Sequence, residues 1–233
     1  AWFADDYWRF WNYSRRWAPR FDWAVTTSPQ ALGWYRSAGH KNVLLSQWAC
    51  NTGDYRPIDT PKDIDVSFVG QRKSSRARVV DALTRGGIPI QTFGFGWPNG
   101  RVSQKDMLRV FSRSKINLNL NVRPSRFEPK VLARLFLKKS SNRLVPDFHL
   151  IDNMKAWWHF ALPHTHARPF ELAGCGAFVI SGYSDGIEQY YQPDKEMVFY
   201  RSMPELLEKI RYYLLHDGER EQIAQAGYKR TLR

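Results

Sequence analysis

Cysteine is scarce in this chain: Cys50 and Cys175 are its two, among 233 residues. They stand far apart with no second ligand pair near either, which argues against a disulfide framework or a zinc module and makes a reducing, cytoplasmic setting the expectation. Long apolar runs are missing too. Stretches such as Phe178-Val179-Ile180 fall far below the roughly 20 residues that a membrane-crossing helix needs. The opening Ala1-Trp2-Phe3 lacks the basic, apolar and small-residue succession of a secretory leader. Acidic residues are outnumbered, 22 Asp and Glu against 35 Lys and Arg, for a formal charge of +13.

Against these shortages stand a 43% apolar content, ample for a packed core, and a 15% aromatic share with ten tryptophans. The length suits one large domain or one and a half ordinary ones. The positive charge is uneven. Residues 101–143 hold twelve basic side chains against Asp106 and Glu128, a local excess of +10. Such a field attracts polyanions, anionic lipid or phosphorylated substrates without choosing among them, and a solvated basic face is an equal reading.

Strands and helices alternate along the chain. DVSFV (65–69) alternates and is β-rich, and SRARVVDALTRGG (75–87) has helical spacing at Val79, Val80 and Leu83 before a glycine stop. IPIQTFG (88–94) reads as a second strand and INLNLN (116–121) as a third. Between them, Ser103 and Asp106 resemble a capping box for a helix through Met107, Leu108 and Phe111. Then follow a short helix at FELAG, strands AFVIS (177–181) and EMVFY (196–200) with a helical turn at IEQYY, and two closing helices. The first of these starts at Ser202, Pro204 and Glu205, and Asp217-Gly218 separates it from a last one ending near Arg230. The pattern predicts an α/β fold, a Rossmann-like, mainly parallel sheet covered on both faces.

Ligands of such sheets bind at the carboxyl ends of the strands, beside helix N-termini. Two loops qualify. Gly70-Gln71-Arg72-Lys73-Ser74-Ser75 offers a glycine for close approach and two cations that suit a pyrophosphate, or is simply a solvated turn. The other is His164 to Glu171. Glu171 in a first helical turn complements the helix dipole, but a carboxylate is also the group that grips a ribose diol. Arg168 could neutralise it or hold phosphate with its planar fork. Small residues at Ala173, Gly174, Gly176 and Ala177 would let helix and strand approach a nucleotide closely.

The segments RPFELAGCGAFVISGYSDGIEQYY, DKEMVFY and HDGEREQIAQAGYKRTLR, with DVSFVGQ, FGFGW and SKINLNLN, resemble the C-terminal domain of GT-B glycosyltransferases of the CgeB-like, spore-maturation group. The resemblance covers about residues 60–121 and 160–233. It implies a transferase that moves a sugar from a nucleoside-diphosphate sugar to an acceptor, glycan, protein or lipid-linked, without an essential metal or other cofactor. By the same resemblance Glu171 matches the ribose-binding acid of the EX7E pattern, whose first acid is replaced by Pro163. Arg72 and Arg168 approach the diphosphate, and Gly70, Phe170 and Gly174 complete the donor-binding set.

GT-B enzymes have two Rossmann-like domains. Residues 1–58, with a strand at WAVTT, a helix through Ala31 to Ser37 and a strand at NVLLS, resemble the last part of an incomplete N-terminal, acceptor-side domain. Residues 59–233 would form the donor domain, with an insertion at about 122–160. The resemblance makes this chain a fragment or a reduced enzyme. It draws attention to Asp5 and Asp6 as acids on the acceptor side, although surface acids capping a helix are commoner; Asp6 and His166 are the catalytic candidates. His164 and His166 suggest a metal pair by spacing alone, with no acidic or cysteine partner. In the insertion, Lys130, Arg134 and Lys138 share one helical face and Val131, Leu132, Leu135 and Phe136 another. This basic amphipathic helix could lie on an anionic membrane or, more commonly, cover a core. Trp157 and Trp158 could stack on a sugar or pack. Two other functions stay open: a GT-B relic that binds a sugar nucleotide or a partner without turnover, and, less favoured, a basic nucleic-acid-binding module.

Overall fold

The computed structural model describes residues 1–4, 6, 9–122, 125–140, 143–160 and 164–233. In chain order the strands are β1 (Trp2–Ala4), β2 (Ala24–Thr26), β3 (Val43–Leu45), β4 (Ile64–Val69), β5 (Ile90–Phe93), β6 (Ser114–Asn119), β7 (Leu137–Ser140), β8 (Arg143–Pro146), β9 (Val179–Gly182) and β10 (Val198–Tyr200). The helices are α1 (Arg15–Trp17), α2 (Pro29–Ser37), α3 (Ser74–Arg85), α4 (Gln104–Arg113), α5 (Pro129–Ala133), α6 (Leu150–His159), α7 (Arg168–Gly174), α8 (Met203–Leu215) and α9 (Asp217–Thr231). No helix among the described residues is long and apolar enough to cross a membrane.

Two compact units divide the chain: Ala1–Gln47 with Arg123–His164, and Trp48–Val122 with Thr165–Arg233. The division differs from the one expected from sequence. It falls at residue 47 rather than 58, and the stretch read as an insertion into the C-terminal part groups with the N-terminal segment. Side chains explain the grouping. Asp152 on α6 takes a 2.8 Å ion pair from Arg15, Lys155 lies 4.6 Å from the Trp11 ring, and His159 meets Trp34 edge-on at 4.6 Å.

The first unit holds a parallel sheet in the order β1-β2-β3 and a small core of Phe10, Ala18, Ala24, Ala31, Tyr35 and Val43. It also holds the antiparallel hairpin β7-β8, where Lys138 faces Val145 and Ser140 faces Arg143. That hairpin corrects the amphipathic helix expected through Lys130, Arg134 and Lys138. The helix α5 stops at Ala133, and from Leu137 the chain is extended. Polar Ser140 and Arg143 flank the reversal, and strand pairing wins over a charge spacing that also fits a helix.

In the second unit all five strands are parallel, in the order β10-β9-β6-β4-β5. The chain leaves β4 for β5 on one side, then crosses to β6 on the other, so the order reverses between β4 and β6. Helices cover both faces. Val66, Phe68, Ile116 and Leu118 pack with α3 and α8, while α4 and α7 bury Phe111, Phe170 and Leu172 on the opposite face. On that second face the polar residues of INLNLN are satisfied rather than exposed. The Ser67 hydroxyl donates to Asn117 Oδ1 at 3.2 Å, and Asn119 Nδ2 to Ser181 Oγ at 2.8 Å. Burial without such partners would cost each group about 1–3 kcal/mol.

Candidate functional site

The carboxyl ends of β4 and β6 flank the point where strand order reverses, the usual crevice for a ligand of such a sheet. After β4 comes the turn Gly70 to Lys73, then α3. Gly70 donates its amide to Phe93 O at 2.9 Å and accepts from Trp97 Nε1 at 2.9 Å. A side chain there would press on the Phe68 ring, with 2.8 Å left for its Cβ. Arg72 is exposed, its backbone amide bonded to Phe95 O at 2.9 Å and its guanidinium 5.5 Å from the Trp97 ring centre.

A cation that sequence reasoning missed sits at the switch itself. Arg76, in the first turn of α3, donates from Nε to Leu120 O at 3.3 Å and from Nη1 to Gln71 O at 3.1 Å. It therefore ties the loop after β4 to the loop after β6. Burial, then the charge of Arg168, push its ionisation below the usual value, with the Tyr200 phenol acting in the opposite sense. Tyr200 ends β10; its hydroxyl is buried and has no hydrogen-bond partner among the described residues.

Arg168 and Glu171 come together as the helical spacing implies. Arg168 Nη1 lies 2.7 Å from Glu171 Oε2 and 3.2 Å from Met107 Sδ, with its guanidinium 5.3 Å from the Phe111 ring. The second oxygen of Glu171 accepts a 3.1 Å hydrogen bond from Tyr55, a residue that belongs to no motif read from the sequence. With a side chain 18% exposed, Glu171 is half-withdrawn from solvent yet reachable. Burial first, then the negative charge of Glu171, push the Tyr55 phenol up to about 12, so it stays a donor at neutral pH. The turn before α7 is held by a 2.8 Å hydrogen bond between Thr165 Oγ1 and Ser184 Oγ.

Two other expected donor-binding residues, Phe170 and Gly174, pack against the chain itself. Phe170 is buried in the core, 5.7 Å from Tyr190 and 5.5 Å from Tyr191 between ring centres. At Gly174 a Cβ would stand 2.7 Å from Cys50 Sγ and 3.4 Å from Tyr55 O, so the close approach is to the chain's own segment rather than to a nucleotide. That contact also brings the two cysteines near each other. Burial, then Cys50, hold the Cys175 thiol up to about 12, far from the reactive thiolate.

His166 is half-buried just ahead of α7, and His164 falls in the other unit. No group of three or more His, Cys, Asp and Glu that could hold a metal ion occurs among the described residues. Asp6 is fully buried, not a surface acid, and accepts from the Tyr35 hydroxyl at 3.0 Å. Burial, then the charge of Asp6, push the Tyr35 phenol up, so it keeps its proton. Asp5 and Pro163 lie outside the described residues. Some of the positive charge of residues 101–143 is paired: Arg113 with Asp63, Lys115 with Asp65 at 2.7 Å, and Arg109 with Asp106 at 3.4 Å.

A family described as glycosyl transferase-like matches residues 148–233. Among solved structures, the Anabaena protein HepE in complex with UDP-glucose superposes with a TM-score of 0.62 at 11% identity, over 96% of this chain and 63% of that one. The sucrose-phosphate synthase of Thermosynechococcus elongatus gives 0.60 at 12% identity, over 90% and 53%. A glycosyltransferase from Rickettsia africae gives 0.55 at 11%, over 96% and 62%. The chain thus spans between about half and two thirds of their lengths. None of the curated proteins matches. The fold of this chain is that of the GT-B glycosyltransferases.

Proposed function

We propose that this chain carries the donor-binding part of a glycosyltransferase of the CgeB-like group, which uses a nucleoside-diphosphate sugar. One observation carries the reading: the pair Arg168–Glu171 stands on α7, and Arg76 ties together the loops after β4 and β6 at the reversal point of the sheet. A relative in fold, HepE, was solved in complex with UDP-glucose, which supports a nucleotide sugar as the ligand class.

In this reading Glu171 takes the ribose diol. Each carboxylate oxygen has two lone pairs, so the bonds from Arg168 and Tyr55 leave one free on each oxygen. Arg76, Arg168 and the exposed Arg72 face the diphosphate, beside the turn at Gly70. As the acceptor's nucleophilic atom bonds to the sugar's anomeric carbon and gives up its proton, the bond from that carbon to the diphosphate oxygen breaks and its electron pair leaves with the nucleoside diphosphate. Cations already fixed in place, Arg76 by two loop carbonyls and Arg168 by Glu171, stabilise that charge without having to reorganise.

Calorimetric titration of UDP, GDP and ADP, each beside its 2′-deoxy form, tests the reading. One base should bind at micromolar concentration, with the 2′-deoxy form weaker by about 1–3 kcal/mol, the range for a hydrogen bond to a charged group. Glu171→Gln should abolish that difference. Failure of all three nucleotides to bind the folded chain would reject the donor site.

A further inference from the structure

Residues 50–57, near the start of the second unit, are neither helix nor strand, yet they are held at both ends. Asn51 builds a turn with its own side chain, as Asn does readily. Its Oδ1 accepts the Gly53 amide at 3.1 Å, its Nδ2 donates to Asp54 Oδ2 at 2.8 Å, and its carbonyl accepts the Tyr55 amide at 2.8 Å. Beyond Tyr55, Pro57 stiffens the chain, and the amide of Ile58 donates to Ser112 Oγ on α4 at 3.2 Å. Between these anchors the Tyr55 hydroxyl reaches Glu171.

The far end of α7 leaves space for this segment. A Cβ at Gly174 would stand 2.7 Å from Cys50 Sγ, and one at Gly176 would stand 3.1 Å from Pro57 Cγ. Cys50 and Tyr55 also pack against the core that contains Phe170, Leu172 and Cys175. Glu171 is thus approached from two sides, by Arg168 within its own helix and by Tyr55 from a separate stretch of chain. The two contacts differ in effect. A guanidinium prefers to meet a carboxylate with two parallel bonds, and if Arg168 took both oxygens the carboxylate would be turned away from a diol. The Tyr55 bond keeps Oε1 engaged elsewhere, so Arg168 holds Oε2 and the carboxylate stays open.

Resting on the reading of Glu171 as the ribose acid, we propose that residues 50–57 are a positioning strap: Tyr55, seated through Gly174 and Gly176, fixes the Glu171 carboxylate and thereby makes the site select ribonucleotides over 2′-deoxyribonucleotides. Tyr55 touches no ligand in this scheme. It acts through Glu171.

Calorimetric titration with whichever of UDP, GDP and ADP binds, beside its 2′-deoxy form, tests this. The unaltered chain should prefer the ribonucleotide about five- to 150-fold. Tyr55→Phe retains the ring and removes the hydroxyl; it should cut that preference at least about fivefold and leave the affinity for the 2′-deoxy form unchanged. Gly174→Ala, whose new Cβ presses on Cys50 Sγ, should lower the preference as well. Adding Cys50→Ala removes the obstructing atom and should restore it. A Tyr55→Phe chain that binds both forms equally more weakly, or binds both as before, overturns the proposal, because a strap that only stabilises the fold moves affinity without moving the ratio. So does a Gly174→Ala chain with its preference intact, or one whose loss Cys50→Ala fails to restore. An unaltered chain that binds no nucleotide, or binds both forms alike, rejects Glu171 as the ribose acid and the strap with it. One that discriminates equally with and without the Tyr55 hydroxyl rejects the strap alone.

Discussion

Gly94 shows how much one residue can be asked to do. Its φ of +123° lies where side chains are rarely found, and a Cβ would stand 2.3 Å from the carbonyl oxygen of Gly70, a backbone atom that cannot step aside. Gly87 has a φ of +77° but open space around it. Gly94→Ala should therefore cost at least about 3 kcal/mol, combining strain with a clash, and Gly87→Ala about 1 kcal/mol; urea unfolding of both variants measures the contrast. Tyr200→Phe should go the other way. Removing a buried hydroxyl that has no partner relieves a desolvation cost of about 1–3 kcal/mol, so the urea midpoint should rise. At this scale the sequence made Glu171 and Arg168 legible, because their spacing is three residues along one helix. The packing of Phe170 was less legible, since the residue beside Glu171 in sequence lies about 100° around the helix and is buried among Tyr190 and Tyr191. Arg76 was invisible for a different reason: its importance depends on which two loops the sheet order brings together.

Among the elements, those of the second unit could be read from sequence, and local capping shows why. Ser103 accepts the Asp106 amide at 3.1 Å, and Ser202 does the same for Glu205. These contacts involve residues three apart and need no knowledge of the fold. Ser103→Ala should lower stability by about 1 kcal/mol, read as a shift of the urea midpoint at constant slope, because α4 would lose its N-cap. The effect should reach Arg168 as well, since α4 supplies the Met107 and Phe111 against which that side chain rests. The segment 129–146 resisted reading because both of its periods are incomplete. A charge every four residues fits a helix, while Leu137 to Pro146 fits a hairpin, and partners distant in sequence decide between them. The short β1 carries no strand pattern of its own; it is a strand because it lies beside β2.

For the molecule as a whole, buried phenols predict a one-sided response to pH. Tyr55, Tyr191 and Tyr213 are each held up to about 12, in every case mainly by burial. The unfolded chain loses these protons near pH 10, while the folded chain keeps them. Stability from this source is complete below pH 10 and is lost as pH rises through 12. Urea midpoints should be level between about pH 8 and 9.5 and fall steeply by about pH 11. Both compact units are discontinuous in sequence, and this has a consequence for synthesis on the ribosome. When β6 emerges, its neighbour β9 lies some sixty residues further along the chain, several seconds away at about 5–20 residues per second. During that interval one side of β6 is an open edge, the kind of strand that captures other chains. Asn119, on its second face, also waits through that interval for Ser181, which receives its hydrogen bond in the finished sheet.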